Sequence, residues 1–238
     1  MQGRKGESIV MSMIIGMASA SSVLLAADSQ DSGFIRAGQD ECIAFARNTA
    51  RKVYRISDCI ATAIAGSATL NNGRGVEEHL GALDIPSLPN KECVEVIRTH
   101  LHSYTDDKHQ VELIVACACP PEIFTLKLPR GTRGEKVQVH GGFQFAMKGS
   151  GAVLLKDYAS NWVDLVTERP REPKEAEMVS MAVAMIHATI HIEEWKEKTT
   201  FLAEPIMVLQ WSGLEQHWLA NDFGCQPICR PKREEAPG

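Results

Sequence analysis

Apolar and polar positions divide the first quarter of the chain into short strands. Residues 9–17 and 23–27 are apolar runs separated by a turn of small residues, a pattern that predicts a buried β-hairpin. Residues 52–56 and 59–65 repeat the pattern and predict a second pair of strands. Between the two pairs, residues 28–49 are polar and contain glycine, which predicts a loop.

The remainder of the chain mixes helical and strand patterns. Helices are predicted at 76–80, 91–104, 152–165 and 175–195, with Asn90 as the N-cap of the second. Further strands are predicted at 111–118, 122–128, 137–147 and 206–211, the last being the final strand of the chain. This order of strands and helices indicates one α+β domain rather than a regular βαβ alternation.

Composition narrows the class of protein. The 238 residues are 44% hydrophobic and carry a formal net charge of -5, which favours a soluble globular domain and offers no basic excess for nucleic acid or an anionic membrane. The seven cysteines lack the dense, regular spacing of a disulfide scaffold, which favours a reducing compartment. We therefore expect a cytoplasmic protein without nucleic-acid or membrane partners.

The histidines and cysteines do not predict a metal site. His187 and His191 lie one helical turn apart but have no evident third ligand. Cys117 and Cys119 alternate along a predicted strand, and the chain contains no Cys-x-x-Cys pair. We expect neither a metal nor a cofactor.

Five short motifs follow one another along the chain in a recognisable order. They are Ser12-Met-Ile-Ile-Gly16, Leu24-Leu-Ala-Ala-Asp28-Ser29, Lys52-Val-Tyr-Arg-Ile56, Ala65-Gly66 and Gly149-Ser150-Gly151. Their order and spacing resemble the signature of proteasome β subunits and of bacterial relatives such as the HslV peptidase. The resemblance covers about residues 12–210 and implies an N-terminal nucleophile hydrolase with a four-layer αββα sandwich fold.

The resemblance assigns catalytic roles to several residues. It implies that the Ser12 hydroxyl is the nucleophile and its own α-amine the base, with Asp28, Lys52 and Ser150 in support and the Gly66 N–H as an oxyanion donor. An α-amine has an unperturbed pKa of about 7.7 to 8.0, close to working pH. A neighbouring ammonium, as Lys52 would provide, favours the neutral amine and the ionised hydroxyl.

Two features depart from the family pattern. The segment from Asp28 to Lys52 is longer by about eight residues, in a loop that borders the substrate cleft in the family. The family's Asp-x-x-Ser-Gly-Gly element is absent, and Glu197 and Thr200 stand at the corresponding distance from the final strand as chemical substitutes.

Three residues are expected to contact substrate, again by resemblance. They are Ser32, Ile64 and Ala68. The last two would line the primary specificity pocket, and their size and apolarity favour a small apolar substrate side chain.

Residues 1–11 precede the proposed nucleophile and admit three interpretations. They are a propeptide, or an over-called translation start in which removal of Met11 exposes Ser12, or part of a signal peptide with Arg4 and Lys5 before an apolar run. The first two divide the chain into an extension at 1–11, a hydrolase domain at 12–215 and a tail at 216–238.

The function that the resemblance implies is cleavage of peptide bonds by Ser12. The implied partners are a peptide or unfolded-protein substrate, other copies of the chain in a ring or related homo-oligomer, and an ATP-dependent unfoldase. Two alternatives stay open: a non-catalytic structural subunit on the same fold, expected if residues 1–11 stay attached, and an amidohydrolase that is not a peptidase.

Overall fold

The fold is mixed α+β, which confirms the predicted class. The computed structural model describes residues 12–29, 31–37, 40–47, 51–85, 88–129, 134–140, 143–167, 171–197, 206–212 and 215–220. These residues form four helices, a six-stranded and a five-stranded antiparallel sheet, and a separate two-stranded sheet. Within this part of the chain, no helix combines the length and apolarity needed to cross a membrane.

The structure contains thirteen strands and four helices in its described residues. The strands are β1 (Ile14–Ala18), β2 (Ser22–Ala27), β3 (Asp31–Ala37), β4 (Asp40–Arg47), β5 (Val53–Arg55), β6 (Ile60–Gly66), β7 (Val111–Ala118), β8 (Pro121–Leu128), β9 (Glu135–Lys136), β10 (Val139–His140), β11 (Phe143–Lys148), β12 (Met207–Ser212) and β13 (Glu215–Ala220). The helices are α1 (Val76–Gly81), α2 (Asn90–His102), α3 (Ser150–Thr167) and α4 (Glu175–Glu197).

The two large sheets are built from different parts of the chain. The six-stranded sheet has the order β10-β11-β1-β2-β12-β13, so that the N-terminal hairpin lies at its centre. The five-stranded sheet has the order β5-β6-β7-β8-β9. Strands β3 and β4 pair only with each other among the described strands.

Strand β1 is buried on both faces, which explains its uninterrupted apolar sequence. Met13, Ile15 and Met17 pack in a core that includes residues of α3 and α4. Ile14 and Ala18 point the other way, into a second core shared with the five-stranded sheet. The hairpin therefore contributes to two cores at once, and its apolar run is a pair of central strands rather than a surface segment.

Small residues allow the two large sheets to approach each other. The inward rows of the five-stranded sheet are rich in alanine, at Ala61, Ala63, Ala65, Ala116 and Ala118. On the opposing sheet, a Cβ placed on Gly16 would lie 2.5 Å from Cγ2 of Ile114. A side chain at position 16 would displace Ile114, so glycine allows the two sheets to approach closely here.

Four predictions of local structure are wrong. The single strand predicted at 137–147 is two strands, β10 and β11, which pair with each other. Residues 28–49 contain the strands β3 and β4 rather than a loop, consistent with β-forming residues such as Phe34 and Ile43. Asn90 is the first residue of α2, not its N-cap, and its Nδ2 donates to the Pro120 carbonyl and to Glu122. Strand β12 is not the last, because β13 follows it and pairs with it.

Candidate active site

Ser12 and Asp28 meet because they lie at the open end of the β1–β2 hairpin. The register pairs Ile14 with Ala27, so the next residues outward, Met13 and Asp28, face each other. The Asp28 N–H donates to the Met13 carbonyl at 3.2 Å, and the Met13 N–H donates to Asp28 Oδ1 at 2.8 Å. The separation of the two residues in sequence is therefore the length of one hairpin.

Lys52 reaches this end of the hairpin from the other sheet. It directly precedes β5, and its carbonyl accepts a hydrogen bond from the Ile64 N–H at 2.9 Å. Its Nζ lies 2.7 Å from Asp28 Oδ2 and 3.0 Å from Ser12 Oγ. The ammonium group thus bridges the carboxylate and the hydroxyl that the sequence analysis singles out.

All three of these side chains are buried. Asp28 is 0% exposed, Ser12 is 3% and Lys52 is 8%. Removing an ion pair from water is costly, and the cost is offset only when the charged groups make further hydrogen bonds. Here the carboxylate of Asp28 also accepts from the Met13 N–H, and the ammonium of Lys52 also donates to Ser12. A positive charge at this distance stabilises negative charge on the Ser12 oxygen.

The Gly149-Ser150-Gly151 turn holds the backbone of Ser12. Strand β11 pairs with β1 on the side opposite β2, and its end brings this turn to Ser12. The Ser12 N–H donates to Ser150 Oγ at 3.2 Å, and the Gly151 N–H donates to the Ser12 carbonyl at 3.1 Å. Gly149 has a φ of 91°, and a Cβ placed on it would lie 2.1 Å from the Ser12 carbonyl oxygen. Only glycine permits this approach.

Gly66 ends β6 beside Lys52. Its φ is 97°, and a Cβ placed on it would lie 2.5 Å from the Gln110 carbonyl oxygen. N–H groups alternate in direction along an antiparallel strand, and the neighbouring Ser67 N–H donates to Gln110 on β7's side. The Gly66 N–H is therefore directed to the same side as the Ile64 N–H, which donates to Lys52. This direction suits a donor to an oxyanion near Ser12.

The residues expected to contact substrate lie in different surroundings. Ile64 is buried in the core between the five-stranded sheet and helices α1 and α2. Ala68 is exposed in the segment after β6, where its carbonyl accepts from the Val76 N–H at 3.0 Å. Ser32 lies in β3, and its side chain is outside the described part of the structure.

The proposed substitutes for the missing family element remain predictions. Glu197 is the final residue of α4, and its side chain is not among those described. Thr200 lies outside the described residues. The structure brings Ser12, Asp28, Lys52 and Ser150 into contact. Gly66 follows Ala65, whose Cβ lies near Gly149 of the same turn as Ser150.

Sequence reasoning missed one carboxylate next to this site. Glu112 lies on β7, and its Oε2 accepts a hydrogen bond from the Gly149 N–H at 3.0 Å. A charged residue inside the apolar stretch 111–118 is the signal that would have found it. A buried row of a strand rarely carries a charge without a specific partner.

Two comparisons of the sequence with known proteins give no match. A scan against models of protein families finds no match. A search of curated proteins finds none with significant similarity.

Within the described residues, no three His, Cys, Asp or Glu side chains are grouped so as to hold a metal ion.

Proposed function

We propose that the protein is an N-terminal nucleophile hydrolase of the proteasome-like class that cleaves peptide bonds through Ser12. The contact of Lys52 Nζ with both Ser12 Oγ and Asp28 is the observation that carries the proposal. The arrangement is unlike that of a surface lysine, because all three groups are buried and converge from two sheets.

The reaction follows from the groups at the site once Ser12 is the first residue. The Ser12 oxygen attacks the carbonyl carbon of the substrate amide, and its proton passes to the α-amine. The Lys52 ammonium stabilises the oxygen as it loses that proton. In this mechanism the nucleophile and the base are carried by the same residue.

A backbone N–H near Ser12 would stabilise the tetrahedral intermediate before it breaks down. Negative charge on the tetrahedral oxygen would be stabilised by the Gly66 N–H, and one such donor typically contributes about 100- to 1000-fold in rate. Cleavage of the C–N bond then releases the amine product, which takes the proton from the α-ammonium group. Water hydrolyses the resulting ester on Ser12 and regenerates the hydroxyl.

A four-layer αββα sandwich belongs to the same proposal. Helices α3 and α4 share a core with the six-stranded sheet, and α1 and α2 share one with the five-stranded sheet. A third core, rich in alanine, lies between the two sheets. These three cores are those expected of four stacked layers.

The biological setting of the activity is proposed from the resemblance alone. It comprises a cytoplasmic homo-oligomer acting on peptides or unfolded proteins, with an ATP-dependent unfoldase as a partner. If residues 1–11 stay attached, the Ser12 nitrogen is an amide and supplies no base, which favours the non-catalytic structural subunit instead.

Three chains test the proposal. One begins at Ser12 after release from a cleavable N-terminal fusion, the second carries one glycine before Ser12, and the third begins with the Ser12→Ala substitution. We expect hydrolysis of fluorogenic peptides with small apolar side chains by the first chain only. Equal hydrolysis by the glycine-extended chain would rule out the α-amine as base, and folded but inactive chains throughout would support the structural subunit.

The form of the full chain is measured in parallel. Intact mass and N-terminal sequencing of the 238-residue protein, expressed from its own gene context, show whether Ser12 becomes the first residue. Ser12 first supports the hydrolase, whereas a retained Met1 favours the structural subunit.

A further inference from the structure

Glu112 occupies an unusual position on the five-stranded sheet. Residues of β7 alternate between two cores, and Ile114, Ala116 and Ala118 form the row that faces the six-stranded sheet. Glu112 belongs to this row by the period of two along a strand. It therefore places a carboxylate at the end of an apolar interface between sheets.

This end of the interface is also the end that holds the candidate site. In the register of β6 and β7, Glu112 lies directly opposite Ala65, the residue before Gly66. The Ala65 Cβ would lie 3.3 Å from a Cβ placed on Gly149. Glu112, the proposed oxyanion donor and the Gly149 turn are thus immediate neighbours.

The two oxygens of Glu112 have different partners. Oε2 accepts from the Gly149 N–H at 3.0 Å, while Oε1 lies 3.2 Å from Lys127 Nζ on the adjacent strand. Lys127 is 51% exposed at its side chain, and ion pairs of this kind contribute little to stability. A hydrogen bond from a backbone N–H to a carboxylate is stronger than one between neutral groups.

We propose that Glu112 is a positioning residue for the Ser12 nucleophile, an inference that rests on the proposed function. The Glu112 carboxylate accepts a hydrogen bond from the Gly149 N–H. In the same turn, Ser150 Oγ accepts a hydrogen bond from the Ser12 N–H, and the Gly151 N–H donates to the Ser12 carbonyl. This chain of contacts connects the five-stranded sheet to the backbone of Ser12 by a second route, independent of Lys52. The nucleophile is thereby held from both its side chain and its backbone.

Three substitutions separate this role from a general effect on the sheet. Glu112→Ala removes the acceptor for Gly149, whereas Glu112→Gln retains an oxygen that accepts the same hydrogen bond. Lys127→Ala removes the ion pair and leaves the contact between Glu112 and Gly149. A positioning role predicts a defect in the first variant, rescue in the second and no defect in the third.

The first readout is structural and uses the full 238-residue chain. Hydrogen exchange measured by mass spectrometry should accelerate about tenfold or more in peptides covering residues 12–18 and 149–155 of Glu112→Ala. Exchange in a peptide covering 178–190 of α4 should stay unchanged. Equal acceleration in all three peptides would mean a global loss of stability and would overturn the positioning role.

The second readout is catalytic and uses the form of the chain that hydrolyses peptides. We expect kcat to fall about 10- to 100-fold in Glu112→Ala with KM nearly unchanged, because misplacement of a nucleophile slows the chemical step. Glu112→Gln should stay within about threefold of the parent, as should Lys127→Ala. An active parent with unaffected Glu112→Ala overturns this inference alone. A parent that is inactive in every form refutes the proposed function, and the inference with it.

Discussion

Within the described residues, two clusters of buried and half-buried polar side chains differ in charge. The first joins the two large sheets and contains the ion pair of Asp28 and Lys52, with Ser12 as a third member. The second lies between helices α1 and α2, where Nδ1 of His79 is 3.3 Å from Nε2 of His100. Both clusters are polar, but only the first combines a full positive and a full negative charge.

The second cluster avoids charge. His79 is 5% exposed, and its ring centroid lies 4.2 Å from that of Tyr104. Burial lowers the pKa of His79, and the electrostatic interactions with His100 and Arg74 lower it further, although Glu78 acts in the opposite direction. The environment therefore favours the neutral imidazole, which suits a contact that only holds two helices together.

The difference supports the chemical role that we propose for the first cluster. Neutral hydrogen-bonded groups hold two elements together at little cost, whereas burying an ion pair is often no better for stability than apolar packing. A buried ammonium aimed at a hydroxyl is therefore difficult to explain as a stabilising device. Under the proposed function, the ammonium would stabilise negative charge on the Ser12 oxygen.

The largest expected effect is on catalysis by the charged cluster. Ser12→Ala should reduce kcat for peptide hydrolysis by roughly 10⁴- to 10⁶-fold, since the reaction has no other nucleophile at the site. Ser22→Ala is the matched control, because Ser22 is buried at the other end of the same hairpin. Steady-state kinetics on both variants make the comparison, and equal losses would contradict a specific role for Ser12.

The next effect is on stability and concerns the ion pair. Lys52→Met and Asp28→Asn should each lower the free energy of unfolding by about 3 to 5 kcal/mol, because each leaves a buried charge without its opposite charge. The double variant should lose much less than the sum of the two and remain inactive. Urea unfolding measures all three, and strictly additive losses would show that the two groups do not interact.

A smaller effect concerns the turn that holds Ser12. Gly149→Ala and Gly73→Ala both place a side chain at positive φ, which costs about 1 to 2 kcal/mol. A Cβ at position 149 would collide with the Ser12 carbonyl oxygen, whereas nothing lies within 4 Å of a Cβ at position 73. Gly149→Ala should therefore be the less stable variant and lose activity, whereas Gly73→Ala should stay active. Similar behaviour of the two in unfolding and activity assays would contradict a tight fit at Ser12.

The smallest effect distinguishes the neutral cluster by its response to pH. The pKa of His79 is lower in the folded protein than the value of about 6.5 expected when unfolded, so the unfolded state binds the proton more readily. The contribution of His79 to the free energy of unfolding is complete above about pH 6.5. It is lost as the pH falls from that value toward the pKa of His79 in the folded protein. His79→Phe keeps a ring against Tyr104 and should reduce the loss of stability between pH 7.5 and pH 5. An unchanged loss in urea unfolding would refute this assignment.

Much of the fold could be predicted because local patterns agree with the tertiary structure. The hairpin of β1 and β2, the pair β7 and β8, and helix α4 all have apolar runs long enough to identify. Strand β3 was missed because glycine and charged residues lie among its apolar positions, whereas the apolar run 42–46 in β4 is a signal that the sequence analysis overlooked. Strand β13 begins in a stretch containing Glu215, Gln216 and His217, which has no apolar alternation.

The candidate site could be predicted only in part. The resemblance pointed to Ser12, Asp28 and Lys52, and the structure brings these three into contact. Glu112 lies about 100 residues from Ser12 in sequence, and its link to the site depends on the register of two sheets. Neither register nor contact between sheets can be read from a local pattern.

The most direct test of the central claim is to trap the nucleophile. A chain whose first residue is Ser12 is treated with a peptide β-lactone, which acylates an activated hydroxyl, and the adduct is located by mass spectrometry of its peptides. We predict a single ester on Ser12 that is lost in Ser12→Ala and forms much more slowly in Lys52→Met. An adduct that persists in Ser12→Ala, or a folded chain that forms none, would contradict the assignment of Ser12 as the nucleophile.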